Sequence, residues 1–363
     1  MYMAKFIIGI MMIFLVLGAV DRALLKDRLA LGPELEKGLN TIGPLLLAMG
    51  GIMCAAPVLG SILGTALTPV FRLLGCDPAI FGGMFFASDM GGYALTASMT
   101  ADPDVHLLSG VLLGTVQGCI VSFTIPVGLI LVKEPHQRAA AKGLVISMIC
   151  APTCAVFGGM AAGLSLLHIL RTIYPSVILA LTAAFFLSFF SAATLRFFLA
   201  FSRVLSAFCV LALAAAILDD LLGITLVPGM APLHEQFIIV GEIGVTLAGA
   251  YPLIAFLKKH IAPFLSLAGR KTGLGEASIL GILANFANPM PMFALTPEMS
   301  LRGTVVAWAV GTSAGAVLGD YLGFITAVAP QYTLPMVVGK LCCAAFSLVL
   351  ALFMTRHDST LCP

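Results

Sequence analysis

The sequence predicts an all-α, polytopic membrane protein: an inverted repeat with about nine transmembrane spans and two re-entrant hairpins. This prediction rests on the composition, on recurring apolar segments and on a similarity between the two halves. Hydrophobic residues make up 60% of the 363 residues and charged residues only 10%, and the mean hydropathy is +1.09. Soluble domains carry about 25% charged residues. The chain therefore has no room for a sizeable soluble domain.

Apolar runs of about 20 residues, the length that crosses the core of a bilayer, recur along the whole chain. The first run follows Lys5 and resembles a signal peptide. It lacks an A-x-A cleavage site and carries Asp21 and Arg22 where cleavage would fall, so we interpret it as a span. The predicted apolar segments are 4–24, 41–66, 79–100, 107–132, 143–167, 174–195, 204–223, 236–257, 277–297, 303–327 and 334–354.

The two halves of the chain resemble each other in colinear order, at an offset of 195 to 198 residues. Internal duplication of this kind is typical of secondary transporters. We predict a first repeat over 1–168 with a hairpin near 79–100, a linking transmembrane helix within 169–203, and a second repeat over 204–363 with a hairpin near 277–297. The matching pairs are Asp21 and Asp219, Pro33 and Pro228, Pro57 and Pro252, Gly114-Thr115 and Gly311-Thr312, and Lys142 and Lys340.

The placement of positive charge favours hairpins over full spans in segments 79–100 and 277–297. If both segments cross the membrane, giving eleven spans, Lys and Arg show hardly any bias between the two sides. If both return to the side that they entered, only Lys5, Arg72 and Arg171 of the 19 Lys and Arg fall outside, and Lys340 stays in the membrane. The positive-inside rule prefers the second arrangement. In this arrangement the chain crosses the membrane five times between equivalent points of the two repeats. Because five is odd, the second repeat is inverted relative to the first.

Asp89 is the first candidate for chemistry, because an acid beside two glycines interrupts an apolar segment. A carboxylate is expensive inside a membrane, whereas at a helix break it can bind a cation, with exposed backbone groups near Gly91 and Gly92 as further ligands. The corresponding break in the second half contains Asn285 and Asn288, whose amides suit a hydroxyl group or an alkali ion. The alternative for each break is an ordinary loop.

Asp320 is the second intramembrane acid, in a GDYLGF sequence with Tyr321 and Phe324 close by. A small organic cation could lie between this carboxylate and the rings, or Asp320 could form a structural ion pair with Lys340. Lys340 itself is a candidate counter-ion that substrate or a coupling cation displaces, with snorkelling as the alternative. Glu242 is a similar lone acid of lower rank.

Other classes of site find little support in the sequence. The net charge is +2, with no basic patch for nucleic acid. The nine cysteines are scattered and odd in number, without the paired spacing of metal ligands, so we interpret them as small buried hydrophobic residues. All six histidines lie in loops or near predicted helix ends. We expect no metal site and no cofactor.

At these residues the sequence resembles the ethanolamine-utilisation permease family, the EutH-type transporters. The resembling pieces are DMGGY at 89–93, GAYP at 249–252, LAN at 283–285, PMF at 291–293, GDYLGF at 319–324 and VGKL at 338–341. They cover nearly the whole chain. The resemblance implies a bacterial inner-membrane carrier of ethanolamine and no enzymatic activity.

Chemical reasoning from the residues leads to the same substrate class. The amine of ethanolamine is protonated at neutral pH, like that of Lys, and needs carboxylates, an aromatic wall and a group for its hydroxyl. Asp89 and Asp320 would bind the amine, Tyr93, Tyr321 and Phe324 would form the wall, and Asn285 would bind the hydroxyl. Uptake would proceed by alternating access at the membrane midplane.

Several alternatives remain open at this point. The chain could carry another small amine, a nucleoside or an ion, or it could be a passive channel. An intramembrane aspartyl protease needs two buried aspartates, but Val317 stands where the G-x-G-D pattern of such enzymes has its first glycine. The expected partners are ethanolamine and the lipid bilayer, with no nucleic acid. The sequence leaves open both a homo-oligomer and coupling to Na⁺ or H⁺.

Overall fold

The computed structural model describes residues 2–133 and 135–356, and over these residues the protein is helical throughout, without β-strands. Long apolar helices dominate it, as the composition predicts. The helices among the described residues that are long and apolar enough to cross a membrane are Ile8–Leu25, Gly51–Leu73, Pro103–Gly128, His136–Ala161, Leu166–Phe189, Leu199–Leu222, Leu233–Leu257 and Pro330–Thr355, eight in all.

The first half runs from the N-terminus to the end of the helix that precedes the predicted linking helix. Its α-helices are α1 (Tyr2–Val20), α2 (Gly32–Leu39), α3 (Ile42–Leu45), α4 (Gly51–Leu73), α5 (Ile80–Phe85), α6 (Tyr93–Met99), α7 (Pro103–His106), α8 (Leu129–Leu131) and α9 (His136–Ala161). Stretches with the wider π-helical turn connect several of them, namely Asp21–Leu25, Leu46–Gly50, Ser88–Gly92, Leu107–Gly118 and Ile120–Gly128.

The second half has fewer irregular turns than the first. Its α-helices are α10 (Leu166–Phe189), α11 (Ser191–Leu222), α12 (Leu233–Thr272), α13 (Glu276–Asn285), α14 (Met290–Leu295), α15 (Leu301–Ala314), α16 (Asp320–Val328) and α17 (Thr333–Thr355). Short 3₁₀ turns occupy Thr296–Glu298 and Pro330–Tyr332.

Helices α5 and α6 lie side by side and antiparallel, so segment 77–100 ends where it began. The Thr100 hydroxyl donates to the Asp77 carboxylate at 2.9 Å, and the Thr96 hydroxyl lies 3.4 Å from the Ala79 carbonyl oxygen. The chain turns through Ser88–Gly92, where Gly91 has a φ of 96°. A residue with a Cβ rarely adopts this conformation, which explains a glycine after the acid.

This first hairpin packs tightly against the helical stretch 107–128. The Ser109 hydroxyl accepts from the Gly83 N–H and donates to the Ala79 carbonyl, at 3.0 and 2.9 Å. Nearer the turn, the Ser122 hydroxyl accepts from the Ala87 N–H at 3.0 Å. Two serines therefore satisfy backbone groups that the interrupted helix leaves free.

Segment 277–297 is also broken into two short helices, α13 and α14, which pack against each other. Gly281 of α13 faces Met292 and Met299, which follow the turn. At the other end, Leu274 and Ser278 contact Gly303, in the first turn of α15. The start of α13 and the start of α15 therefore lie side by side.

The sequence predicts one span over 303–327, whereas the structure has two helices, α15 and α16, that meet at residues 315–319. The break is stabilised by the turn of the second hairpin. The Ala316 N–H donates to the Asn285 carbonyl at 2.7 Å, and the Leu318 N–H donates to the Phe286 carbonyl at 2.8 Å. These bonds compensate for the helical hydrogen bonds that the break removes.

Helices α9, α15 and α17 pack closely against one another. Glycines allow the close approach: a Cβ on Gly143 would lie 2.7 Å from the Trp308 Cβ, and one on Gly339 would lie 2.5 Å from the Cys154 carbonyl oxygen. The hydroxyls of Ser147, Ser313 and Ser347 form a buried chain with O–O distances of 2.9 and 2.7 Å. Small residues and hydroxyl pairs are typical of helix contacts in membranes.

Candidate functional site

A cavity of about 310 Å³ lies where the turns of the two hairpins meet the break between α15 and α16. Both hairpins contribute to it, as do the π-helical stretches and α12. Its walls combine two carboxylates with mostly apolar surface. The lining residues include Thr41, Pro44, Leu45, Asp89, Met90, Cys119, Phe123, Thr124, Tyr251, Asn285, Asn288, Pro289, Met290, Thr312, Gly315, Ala316, Asp320 and Tyr321.

Asp320 stands in the first turn of α16 and is held by neutral donors. The Asn288 amide donates to its Oδ2 at 2.9 Å, and the Tyr251 hydroxyl lies 3.4 Å from its Oδ1. Asn288 is itself fixed, because its Oδ1 accepts from the Met290 N–H at 2.9 Å. No ion pair between Asp320 and Lys340 occurs in the described part of the chain, so the carboxylate faces the cavity without a cation beside it.

Asp89 reaches the same cavity from the turn of the first hairpin. Its Oδ1 is buried and has no hydrogen-bond partner. The groups that act electrostatically on this carboxylate include the Tyr321 hydroxyl and the Lys340 ammonium, and Asp89 in turn acts on Asp320. The two acids that the sequence places 231 positions apart therefore belong to one site.

Two further polar atoms of the cavity wall are buried without a partner: the Oδ1 of Asn285 and the hydroxyl of Thr312. Burying a polar atom without a hydrogen bond costs free energy, so such atoms mark places where a ligand or water binds. The Asn285 amide nitrogen already points at the Met292 sulfur, at 3.0 Å. Its oxygen is left as an unpartnered acceptor on a residue of the cavity wall.

The structure brings five of the predicted substrate-binding residues together in the cavity wall: Asp89, Asn285, Asn288, Asp320 and Tyr321. Gly91 and Gly92 lie outside the wall, where they form the turn that presents Asp89. The Gly92 N–H is engaged within this turn, donating to the Ala87 carbonyl at 2.9 Å.

Tyr93 and Phe324 also lie outside the wall, packed against each other beyond one end of the cavity. Their rings meet edge to face, with centroids 5.7 Å apart. The Tyr93 hydroxyl donates to the Val328 carbonyl at 3.3 Å, and the His106 ring lies 4.3 Å from the Tyr93 ring. These three side chains join the first hairpin to α16.

The two candidate counter-ion residues occupy different environments. Lys340 is fully buried next to the cavity, with its ammonium 2.6 Å from the Thr115 carbonyl oxygen and 4.7 Å from the centre of the Tyr321 ring. It is therefore not a snorkelling lysine. Glu242 is exposed on α12 and does not line the cavity.

Thr312, Tyr251 and Cys119 line the cavity but were not predicted as site residues from the sequence. A signal existed for the first two. Thr312 belongs to the Gly-Thr pair that matches Gly114-Thr115 in the repeat, and Tyr251 lies in the GAYP piece of the family resemblance. Cys119 had no such signal, because it follows the first hairpin in sequence and reaches the cavity through packing alone.

Within residues 2–133 and 135–356, no cluster of three or more His, Cys, Asp or Glu side chains could hold a metal ion. The cysteines of this part of the chain are free thiols. Cys54, Cys150, Cys154, Cys209 and Cys343 are buried, in keeping with the prediction that they pack as small hydrophobic residues.

Long apolar helices around a central cavity, with interrupted helices supplying its polar groups, define a multi-pass membrane transporter. The chain belongs to the family of the ethanolamine utilisation protein EutH, whose model matches residues 3–354. Since this family consists of permeases, the prediction that the protein is not an enzyme is confirmed, and the aspartyl protease alternative is set aside. No solved structure matches the chain.

Curated relatives match the chain over nearly its full length. It is 35% identical over 353 residues to the "Probable ethanolamine permease EutH" of Listeria monocytogenes serotype 1/2a (strain 10403S), covering 97% of this chain and 94% of the relative. It is 31% identical over 394 residues to the protein of the same name in Escherichia coli (strain K12), covering 98% and 97%. These matches confirm the family resemblance seen in short pieces of the sequence. They also confirm the prediction of a multi-pass bacterial membrane protein.

Proposed function

We propose that the protein imports ethanolamine, as the ethanolammonium cation, through the cavity between its two hairpins. The observation that carries this proposal is the pairing of two carboxylates with unpartnered neutral acceptors in a cavity of about 310 Å³. This volume is at the small end of ligand sites. The names of the curated relatives support the same substrate.

The substrate's two ends would meet different parts of the wall. The ammonium group, with three donors and no acceptor, would bind between Asp89 and Asp320, with the Tyr321 ring beside it. The hydroxyl would donate to the Asn285 oxygen or to Thr312, both of which lack partners. Uridine offers no cation to the two acids, so the site favours a small amine over a nucleoside.

We predict that Thr312→Val weakens the preference for ethanolamine over ethylamine, which lacks the hydroxyl. Valine preserves the shape of threonine and removes one hydrogen-bonding group, which is worth about 0.5–1.5 kcal/mol, or about 2- to 10-fold in affinity. Competition against labelled ethanolamine measures the ratio. Ethylamine should compete equally well in both proteins. An unchanged ratio would contradict the placement of the hydroxyl.

We further propose the inverted-repeat architecture, with nine crossings and two re-entrant hairpins. The eight long helices, together with the broken pair α15 and α16, supply nine crossings. Helices α5 and α6 have 6 and 7 residues, too few to cross a bilayer alone, which argues against eleven spans. The repeat boundaries would be 1–168 and 204–363, with α10 as the linking helix.

Positions of the repeat mates support this architecture. Asp21 and Asp219 each follow a long apolar stretch and accept hydrogen bonds from the loop beyond it. Asp21 accepts from the N–H groups of Leu29, Leu31 and Gly32 at 2.8 to 3.1 Å. Asp219 accepts from the Thr225 hydroxyl. The same residue type would thus cap a loop at equivalent points of both repeats.

Transport would proceed by alternating access, with the described conformation open to the inside. Thr41 and Pro44, which line the cavity, follow a loop that carries Lys26, Arg28 and Lys37. Loops with several Lys and Arg residues face the cytoplasm. At the opposite end, near the acidic segment 101–106, the Tyr93–Phe324 ring pair would close the cavity.

The native Cys119 provides a test of this orientation, because it lines the cavity. In a background without the half-buried Cys76 and Cys342, a membrane-impermeant thiol reagent should label Cys119 in inside-out vesicles and not in right-side-out vesicles. Tyr93→Ala should make Cys119 accessible from the outside as well, since it removes the ring and hydroxyl that contact Phe324 and Val328. Mass spectrometry of the peptide quantifies labelling.

Two comparisons make the accessibility test decisive. Tyr332→Ala removes a tyrosine of the same region whose hydroxyl lies 3.5 Å from the Pro103 carbonyl. It leaves the Tyr93–Phe324 ring pair and the Tyr93–Val328 hydrogen bond in place, so labelling from outside should stay low. If Cys119 is strongly labelled from the outside in the protein that retains Tyr93, the assigned orientation is reversed.

The proposed function is tested by uptake of labelled ethanolamine into proteoliposomes, with and without imposed Na⁺ or H⁺ gradients. We expect saturable uptake that unlabelled ethanolamine inhibits and uridine does not. A carrier should also show counterflow, in which internal substrate accelerates entry of label, whereas a channel should not. Uptake of uridine without uptake of ethanolamine would refute the assignment.

A further inference from the structure

Lys340 is a fully buried cation whose ammonium does not line the cavity. Its contacts are the Thr115 carbonyl oxygen at 2.6 Å and the face of the Tyr321 ring at 4.7 Å. It interacts electrostatically with Asp89 and with the thiols of Cys119, Cys154 and Cys343. A carbonyl oxygen, an aromatic face and a nearby carboxylate are ligands that a bound cation would need. The lysine supplies that cation covalently.

When both acids of the cavity are ionised, the charges around it do not balance in the absence of substrate. Asp89 and Asp320 are the acids of the cavity wall, and Lys340 is the only Lys or Arg among the buried residues that the structure describes. Two carboxylates and one ammonium leave a deficit of one positive charge. An uncompensated charge in a membrane interior is expensive, so the site requires one monovalent cation.

We propose that Lys340 sets the net charge of the site so that ethanolammonium binds alone, without a co-bound Na⁺. The inference rests on the proposed function. The Tyr321 ring lines the cavity and packs against the Lys340 ammonium, which is not itself part of the cavity wall. Lys340 therefore balances Asp89 from behind the wall and leaves the cavity face of Asp89 to the substrate. Lys340 is therefore a positioning and charge-setting residue that does not touch ethanolamine.

Equilibrium binding of ethanolamine, measured by calorimetry in NaCl and in CsCl at equal ionic strength, tests this role. In the wild-type protein the two affinities should agree within about twofold. Lys340→Met keeps the length of the side chain and raises the charge deficit to two. Ethanolamine should then bind about tenfold more tightly in NaCl than in CsCl, a coupling of ordinary size between two ligands. Lys340→Arg should behave like wild type.

Removing one negative charge as well should reverse the effect of Lys340→Met. Asp89→Asn alone leaves Asp320 and Lys340 balanced, so ethanolammonium should bind weakly. The double variant Asp89→Asn/Lys340→Met restores the deficit of one, and it should bind ethanolamine at least about tenfold more tightly than Asp89→Asn, without dependence on Na⁺. Lys142→Met, which removes the exposed repeat mate, should change neither affinity nor Na⁺ dependence.

The outcomes separate this inference from the proposed function. A wild-type protein that does not bind ethanolamine refutes the proposed function. The role of Lys340 is overturned if Na⁺ strengthens binding to the wild-type protein, or if the double variant binds ethanolamine no better than Asp89→Asn. Either result leaves the assignment of ethanolamine as substrate unchanged. If thermal melting shows that neither methionine variant folds while Lys340→Arg does, Lys340 serves the fold and the inference also fails.

Discussion

Asp89→Asn is expected to abolish ethanolamine uptake while leaving the protein folded in the membrane. The Oδ1 atom of Asp89 is buried and has no hydrogen-bond partner, so the substitution removes no hydrogen bond of that atom. Asparagine has nearly the same size and replaces the charge by a neutral amide. The change therefore acts on the substrate and on the charge balance with Lys340, more than on packing.

The size of the effect follows from the cost of leaving a cation without its carboxylate. Removing one partner of a buried, hydrogen-bonded charge pair costs about 2–5 kcal/mol, and each 1.4 kcal/mol is about tenfold in affinity. Uptake at low substrate concentration should fall by about 30-fold to more than 1,000-fold. Uptake rates and binding affinities, measured in proteoliposomes and in detergent, check this.

Glu242→Gln is the matched control for Asp89→Asn. It removes an acid from an apolar helix, but this acid is exposed on α12 and lies outside the cavity. We expect uptake to remain close to that of wild type. Normal uptake by Asp89→Asn would remove Asp89 from the site, and a loss of uptake by Glu242→Gln would bring that residue back as a coupling group.

Gly118→Ala is expected to displace the first hairpin and to destabilise the protein. A Cβ on Gly118 would overlap the Phe86 carbonyl oxygen and lie 2.8 Å from the Gly83 carbonyl oxygen. Both are backbone atoms of the hairpin, which cannot move aside as a flexible side chain would. Overpacking typically costs about 1–3 kcal/mol, and occasionally more.

Displacement of the hairpin would also move Asp89, so transport should fall along with stability. The thermal midpoint in detergent and uptake in proteoliposomes measure the two effects. Gly64→Ala in α4 is the control, because a Cβ there meets nothing within 4 Å. Alanine favours a helix by roughly 0.5–1 kcal/mol over glycine, so this variant should be at least as stable as wild type. Equal thermal midpoints for Gly118→Ala and Gly64→Ala would contradict the close packing of Gly118 against the first hairpin.

Much of the architecture could be predicted from the sequence, because hydrophobic length and helix breakers act locally. The apolar segments correspond to the long helices, and both interruptions, at SDMGG and at NFANPMP, coincide with turns between short helices. A glycine with positive φ and prolines that remove N–H donors have the same effect in any surroundings. The sequence also identified both carboxylates of the cavity, since an acid in an apolar segment is costly wherever it lies.

Prediction was less successful where a residue's role depends on what it faces. Tyr93 and Phe324 flank the two acids in sequence and were predicted to form the wall of the site. In the structure they contact each other beyond the end of the cavity. Neighbours of a site residue on a helix point in other directions, because successive side chains are rotated by about 100°. Thr312 reaches the site because α15 ends beside the second hairpin.

The sequence by itself determined the membrane class, the positions of the broken helices and the presence of acids, because hydrophobicity and backbone chemistry are properties of a segment alone. Only the tertiary structure decided that Asp89 and Asp320 share one cavity, that Tyr321 lies over Lys340, and that Asn288 holds Asp320. These are contacts between elements far apart in the chain, and the energy of a charge is set by whatever packing brings next to it. Electrostatic function in this protein is therefore a product of the fold.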